Sequence, residues 1–348
     1  MKALIGMSGG VDSSVAALLI RQAGLEAVGC IMKLSPFSSP VDATDAARVA
    51  ESLGMPFYAL DLSADFSSVV IADFVAAYER GETPNPCIVC NRYMKFGKLL
   101  EAGAAYGCDT IATGHYARLD RLGDRVALRK AVDETKDQSY VLSVLSQRQL
   151  AHALFPLGGY RKSEIREIAA ANGFVTAGKS ESQDICFIPD GDYAAFLSRY
   201  TGKTYPVGNF VDKNGNILGK HKGTVSYTLG QRKGLGVAAG HPVFVTDIDP
   251  EQNLVTLGEN EDLFTTQCRL TDVNYVSVEP QAAPFRTLAK VRYRQKEMPA
   301  TATPQEDGTL RLTFDLPVRA ITPGQTAVLY DGDLVLCSGK ILRTPRIL

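Results

Sequence analysis

Over roughly the first 114 residues, short apolar runs alternate with stretches of helical periodicity. Lys2-Ala3-Leu4-Ile5-Gly6 reads as a buried strand, and residues 25–32, 57–62 and 109–113 read as three more. Between them the spacing predicts helices over residues 15–20 (closed by Gly24), 41–53 (with Asp42 or Thr44 near its start), 65–80 and 93–106. Such alternation predicts an α/β fold, a Rossmann-like parallel sheet covered on both faces, with ligands at the carboxyl ends of the strands. Residues 115–131 read as a hairpin turning at Gly123-Asp124, and the stretch after Tyr140, to about Leu154, as helical. Ser163 is expected to cap a helix running to Asn172, and residues 180–188 look strand-like. Near Tyr205 the periodicity changes to short alternating runs with turn signals at Asn214-Gly215, Asp249-Pro250, Asp307-Gly308 and Asp331-Gly332. These predict β modules. The expected division is an α/β domain over 1–204, a small β-rich domain over 205–265 and a β-barrel domain over 266–348.

The junction of the first strand and first helix carries Met7-Ser8-Gly9-Gly10-Val11-Asp12-Ser13-Ser14. The first amides of a helix lack backbone partners and carry partial positive charge, so they suit phosphate. Gly9 and Gly10 let the backbone approach an anion. Ser8, Ser13 and Ser14 offer hydroxyls. Asp12 would repel phosphate unless a cation intervenes, which suggests a Mg²⁺-facing or orienting role. The string lacks the Gly-Lys of a Walker loop. It resembles instead the Ser-Gly-Gly-x-Asp-Ser loop of the ATP pyrophosphatases (PP-loop enzymes), which split ATP into AMP and pyrophosphate. Met32 with Lys33, and Gly114 with His115, end predicted strands on the same rim. Met32 is open to two readings, adenine contact or core.

With 348 residues, 45% of them hydrophobic, the chain is long enough for two or three cores. The formal charge of -1 leaves nucleic-acid binding to local patches. No run is long enough to span a membrane, no secretory signal is evident, and seven cysteines suggest reduced thiols, so a cytoplasmic protein is expected. Thr83-Pro84-Asn85-Pro86 leads into Cys87-Ile88-Val89-Cys90. The two prolines read as a stiff non-helical approach, placing the thiols just before a helix start, where their pKa would fall. A lone Cys-x-x-Cys is open to redox, zinc, cluster and inert readings. Cys186 lies in an apolar stretch and by itself reads as core. Lys136-Asp137-Gln138 reads as either a contact loop or a solvated turn. From Lys213 to Thr246 there are five Lys or Arg and no acid, including Gly230-Gln231-Arg232-Lys233-Gly234-Leu235-Gly236. A strand over 288–294 would put Lys290, Arg292 and Arg294 on one face, a row suited to a phosphate backbone.

These pieces together resemble the tRNA-specific 2-thiouridylase family (MnmA/TrmU) along essentially the whole chain. The resemblance rests on the Gly6–Ser14 loop, Asn85-Pro86 leading to Cys90, Lys95-Phe96-Gly97, Gly114-His115-Tyr116 and Lys136-Asp137-Gln138-Ser139-Tyr140. Ser182-Gln183-Asp184-Ile185-Cys186, the Gly230–Gly236 motif and Arg292-Tyr293 extend it. It implies 2-thiolation of the wobble uridine, U34, in the tRNAs for Lys, Glu and Gln. ATP with Mg²⁺ adenylates the uridine oxygen, and pyrophosphate leaves. Cys90 is then the nucleophilic thiol, and Cys186 carries a persulfide from a sulfur-relay protein, with a transient disulfide between the two. Gly6 to Ser14, Met32 and Gly114 border ATP. Asn85, Pro86 and Cys87 flank the target base, and His115, Lys136, Asp137, Gln138, Arg292, Tyr293 and Gln325 face tRNA. Where family members carry an Asp three residues before the first cysteine, this chain has Cys87. The alternative is that Cys87, Cys90 and Cys186 ligate a [4Fe-4S] cluster. Competing readings are another PP-loop enzyme, of amide-ligase or argininosuccinate-synthase type, and a tRNA-binding protein without catalysis.

Overall fold

A computed structural model describes residues 1–34, 40–177 and 185–343. The Ser182-Gln183-Asp184 part of the second cysteine motif lies outside the described residues. Among the described residues the strands form three sheets.

The first sheet holds β1 (Lys2–Gly6), β2 (Glu26–Lys33), β3 (Phe57–Asp61), β4 (Thr110–Thr113) and, further along the chain, the two-residue strand Ala153–Leu154. Its order is β3-β2-β1-β4 followed by Ala153–Leu154, all parallel. Ala3, Leu4 and Ile5 are fully buried, as a central parallel strand covered on both faces requires. β1 is where the strand order reverses, so its carboxyl end opens into the crevice that ligands use in such sheets. Helices α1 (Val11–Gln22) and α2 (Pro40–Ser52) cover one face through Val15, Ala16, Val49 and Ala50.

Several expectations shift. The helix expected from Tyr93 begins at Pro86 and runs to residue 105, widening into a π-helix over Cys90–Lys98. Proline is well suited to a first helical position, where no amide is needed, and the Asn85 side chain caps it by accepting from the Cys87 amide (3.2 Å). Cys87 and Cys90 therefore lie within the helix, not before it. Ser163 is not a cap. The helix Lys162–Ala171 starts one residue earlier, its Lys162 amide donating to Asp133 Oδ2 (3.0 Å). Residues 185–188 form a turn, not a strand. Phe187 and Ile188 anchor that turn in a cluster with Phe66, Phe74 and Phe196.

The expected hairpin forms as β5 (Arg118–Leu122) and β6 (Arg125–Arg129), but its sheet partner is distant. β8 (Gly208–Val211), β9 (Ile217–His221), β10 (Phe244–Asp249) and β11 (Leu254–Gly258) make a separate four-stranded sheet, counting the Ala153–Leu154 strand as β7. β12 (Phe264–Tyr275), β13 (Phe285–Lys290), β14 (Met298–Pro304), β15 (Leu310–Arg319), β16 (Thr326–Asp331) and β17 (Leu334–Ile341) form an antiparallel barrel closed by β12 on β17. The hairpin joins that barrel through Leu334 opposite Arg129. Arg118 and Arg129 both bond Asp333 (2.7 Å each).

Phe74 is fully buried, in edge contact with Phe187 and Phe196. Phe74→Ala is expected to cost roughly 3–5 kcal/mol by cavity formation. Chemical denaturation should read this as a lower midpoint, and the turn that carries Cys186 should gain amide exchange.

Candidate active site

The loop after β1 binds inward before it faces out. The Met7 amide donates to the Cys30 carbonyl (2.7 Å), and the Met7 side chain is core. Ser13 and Ser14 donate their hydroxyls to the Gly10 carbonyl (3.1 and 2.9 Å), and the Ser8 amide donates to Ser13 Oγ (3.1 Å). Two of the three hydroxyls expected as ligand donors are thus structural. Ser8 is exposed, and Gly10 caps α1 without a side-chain cap bond, the kind of helix end that suits an anion. Two glycines are demanded by sterics. Gly9 has φ +72°, and a Cβ there would overlap the Asp42 carbonyl. A Cβ on Gly114 would lie 2.8 Å from the Asp12 carbonyl carbon and the Ser13 nitrogen. The end of β4 therefore packs backbone to backbone on the loop. Met32 is half-buried, its methyl beside Gly6.

Asp12 has partners that spacing does not reveal. Lys162 Nζ bonds both carboxylate oxygens (2.7 and 2.8 Å), and Tyr116 Oη donates to Oδ1 (2.7 Å). Asp12, expected in a Mg²⁺-facing or orienting role, holds an ammonium and a phenol on its oxygens.

The thiols gather on the other side of Gly114-His115. Cys90 is buried in the cluster that also holds Phe187 and Ile188, with Ile185 packed against it, so the two cysteine segments share one core. Burial pushes the Cys90 thiol up to about 12, against the opposing pull of the Lys95 ammonium and with further upward pressure from Cys186 and Cys87. The lowering expected from a helix start is thus overturned by desolvation. Cys186 is exposed at the surface, yet packing around its sulfur and the neighbouring Cys87 raise it too, while Lys95 draws it down. Cys87 is exposed. All seven cysteines are free thiols. Among the described residues no group of three or more His, Cys, Asp or Glu is arranged to hold a metal ion. Cys87 and Cys186 each raise the Cys90 thiol and Cys87 raises Cys186, so the three sulfurs share one neighbourhood.

Loop and thiols are linked through two adjacent residues. Gly114 touches the loop. His115 packs on Phe96, in the helix that carries Cys90, with ring centroids 6.0 Å apart. His115 is buried, its Nδ1 bonded to Thr113 Oγ1 (2.8 Å), and burial, with Lys95 adding to it, holds it well below the usual imidazole range. A neutral, enclosed His115 does not face tRNA as expected.

Other expected tRNA contacts also turn inward. Asp137 accepts from the Ala131 and Ser139 amides (3.0 and 3.1 Å) and the Ser139 hydroxyl (2.7 Å). Gln138 Oε1 accepts from the Tyr116 amide (3.0 Å). Gln325 donates to the Thr83 carbonyl (2.8 Å), joining barrel to catalytic region. Residues 291–295 form a turn because β13 ends at Lys290, so the expected basic row does not exist. Arg292 instead donates to the Leu229 carbonyl (3.1 Å) and to Thr322 Oγ1. Tyr293 is 38% exposed and close enough to Cys87 to feel its charge, and its hydroxyl donates to the Asp137 carbonyl (3.1 Å). Lys136 is half-buried, and Asn85 and Pro86 shape the helix start. In the Gly230–Gly236 turn Leu235 is buried in the central module while Arg232 and Lys233 stand exposed.

Residues 1–190 match the family described as the tRNA methyl transferase HUP domain, 194–259 its PRC-barrel domain, and 265–341 the aminomethyltransferase beta-barrel domain. A protein of Clostridioides difficile named tRNA-specific 2-thiouridylase MnmA is 46% identical over 98% of each chain. Its namesake in Acetivibrio thermocellus is 44% identical over 98% of this chain and 99% of its own. The chain belongs to the tRNA-specific 2-thiouridylase family. The geometry brings to the site Lys162, Tyr116 and Lys95, which motif reading left without a role. Lys162 in particular lies far from the loop in sequence, and only the unmatched charge of Asp12 hinted at such a partner. Among the described residues no helix is long and apolar enough to cross a membrane.

Cys30, Cys90, Cys268 and Cys337 are each pushed up to about 12 by burial, from an ordinary value near 9. Above pH 9 the unfolded chain releases these protons while the folded one keeps them, so stability is expected to fall from pH 9 towards 12. Urea midpoints at pH 8 and 10 check this. Iodoacetamide at pH 8, followed by peptide mass analysis, should label Cys87 and Cys186 well before Cys90.

Proposed function

We propose that the enzyme replaces the 2-oxygen of the wobble uridine of tRNA by sulfur at the expense of ATP. The observation that carries this reading is the junction at Gly114-His115, where one residue packs on the Ser-Gly-Gly loop at the start of α1 and the next touches the helix bearing Cys90. The α/β fold and the family both favour ATP as the anion. The family name for methyl transfer fits the site less well, since buried and exposed thiols stand where sulfur chemistry would need them.

In this reading the uridine O2 attacks the α-phosphorus of ATP and pyrophosphate leaves. The adenylated oxygen becomes a good leaving group on an otherwise poor electrophile. Cys186, exposed and reachable, receives a persulfide from a sulfur-donor protein. Its outer sulfur bonds to C2 of the base while the Cys90 thiolate attacks the Cys186 sulfur. The persulfide S–S bond breaks, a Cys90–Cys186 disulfide forms, and AMP departs with the oxygen. A thiol reductant then resets the pair. Burial favours the protonated Cys90 thiol, and the Lys95 ammonium pulls the other way, towards the thiolate. A wobble base must leave its stack to reach this site. Tyr293 beside Cys87 is suited to stack on it, and Arg232, Lys233 and Arg294 are exposed for the backbone. The acceptors fitting the family are the tRNAs for Lys, Glu and Gln.

Cys90→Ala and Cys186→Ala should each abolish 2-thiouridine formation, measured by mass analysis of tRNA nucleosides, while tRNA-dependent pyrophosphate release persists for at least the first turnover. Unimpaired thiolation in either variant would refute the sulfur route.

A further inference from the structure

Asp12 poses a physical problem for any polyphosphate site. It lies in the first turn of α1, beside the amides that would take the phosphates, and its charge repels them. The structure answers the problem with Lys162. This lysine is only 8% exposed, comes from the start of a helix 150 residues away, and bonds both oxygens of Asp12. Its placement is fixed twice over. Its own amide is held by Asp133, and the carboxylate it meets is held by the Tyr116 hydroxyl. Lys162 is buried and the Asp12 side chain is 32% exposed, and ion pairs in either setting add little net stability, so stability alone gives weak reason for one here. A cation held against the phosphate loop does have a use.

We infer that Lys162 is the polyphosphate-binding cation of this site and that Asp12 is its holder rather than a magnesium ligand. The inference rests on ATP being the substrate and deepens that reading. When the nucleotide arrives, its β- and γ-phosphate oxygens become acceptors for the same ammonium, and Asp12 keeps that ammonium aimed along the helix end. No bond is made or broken at Lys162. It binds and orients.

The test is ATP binding by the full chain with tRNA present, in Mg²⁺ and in EDTA, for wild type, Lys162→Met, Lys162→Arg, Asp12→Asn and the double variant Asp12→Asn/Lys162→Met. Thermal midpoints are recorded alongside. Lys162→Met leaves the Asp12 carboxylate without its cation beside the phosphates, so affinity should drop roughly tenfold or more. Lys162→Arg should recover part of it. Asp12→Asn should cost less than Lys162→Met, by the same factor with and without Mg²⁺. The double variant carries no stranded charge and so should regain folding stability. It should bind ATP better than Lys162→Met but worse than Asp12→Asn, a non-additive cycle. Lys162→Met, or the double variant if the single one does not fold, binding ATP like wild type would reduce the pair to a structural brace and overturn the inference. A loss in Asp12→Asn confined to Mg²⁺ would overturn it too, by restoring Asp12 as a metal ligand. In both cases thiolation by wild type would stand. Wild type that binds no ATP would sink the functional reading as well.

Discussion

The contact between Asp12 and Lys162 is the point from which the site can be traced outward. It ties the phosphate loop to the helix Lys162–Ala171, whose first amide is held by Asp133. Asp133 opens the segment that ends in Asp137 and Gln138. Gln138 returns to the Tyr116 amide, and the Asp137 carbonyl receives the hydroxyl of Tyr293 from the barrel. One run of charge-assisted and neutral hydrogen bonds thus connects the phosphate loop with a barrel turn beside the thiols. Bonds of this kind are strongest where water is scarce, and Lys162, Asp137 and Ser139 are all buried.

Much of the catalytic fold is legible in local pattern. Ala3-Leu4-Ile5, the Ser-Gly-Gly loop and Gly114 announce strand, anion site and rim because strand burial and loop chemistry are properties of neighbouring residues. The thiol state is not legible. A helix start predicts an acidic Cys90, yet the same residue packs among Met94, Phe187 and Ile188, and desolvation prevails. Nor does spacing reveal that Pro86 begins a helix, since two nearby prolines read equally well as an extended approach.

The tRNA-facing assignments teach a related lesson. Arg292, Gln325 and His115 carry the right chemistry for nucleic acid, but polar side chains are equally suited to fastening one module to another. Arg292 reaches Leu229 and Thr322, and Gln325 reaches Thr83, whose amide in turn donates to the Pro323 carbonyl (2.9 Å). A sequence motif alone cannot separate an interface within the molecule from one with a partner. The exposed Arg232 and Lys233 differ because the turn buries Leu235 and leaves them no inward direction.

The β5–β6 hairpin has a consequence for how the polypeptide is made. Arg129 emerges from the ribosome long before Leu334, against which it pairs. At ordinary synthesis rates the interval is roughly 10–40 s. Throughout it the ribbon presents an unzipped outer edge to every other nascent chain nearby, and Arg118, Arg121, Arg125 and Arg129 along it supply the mutual repulsion that keeps such edges apart.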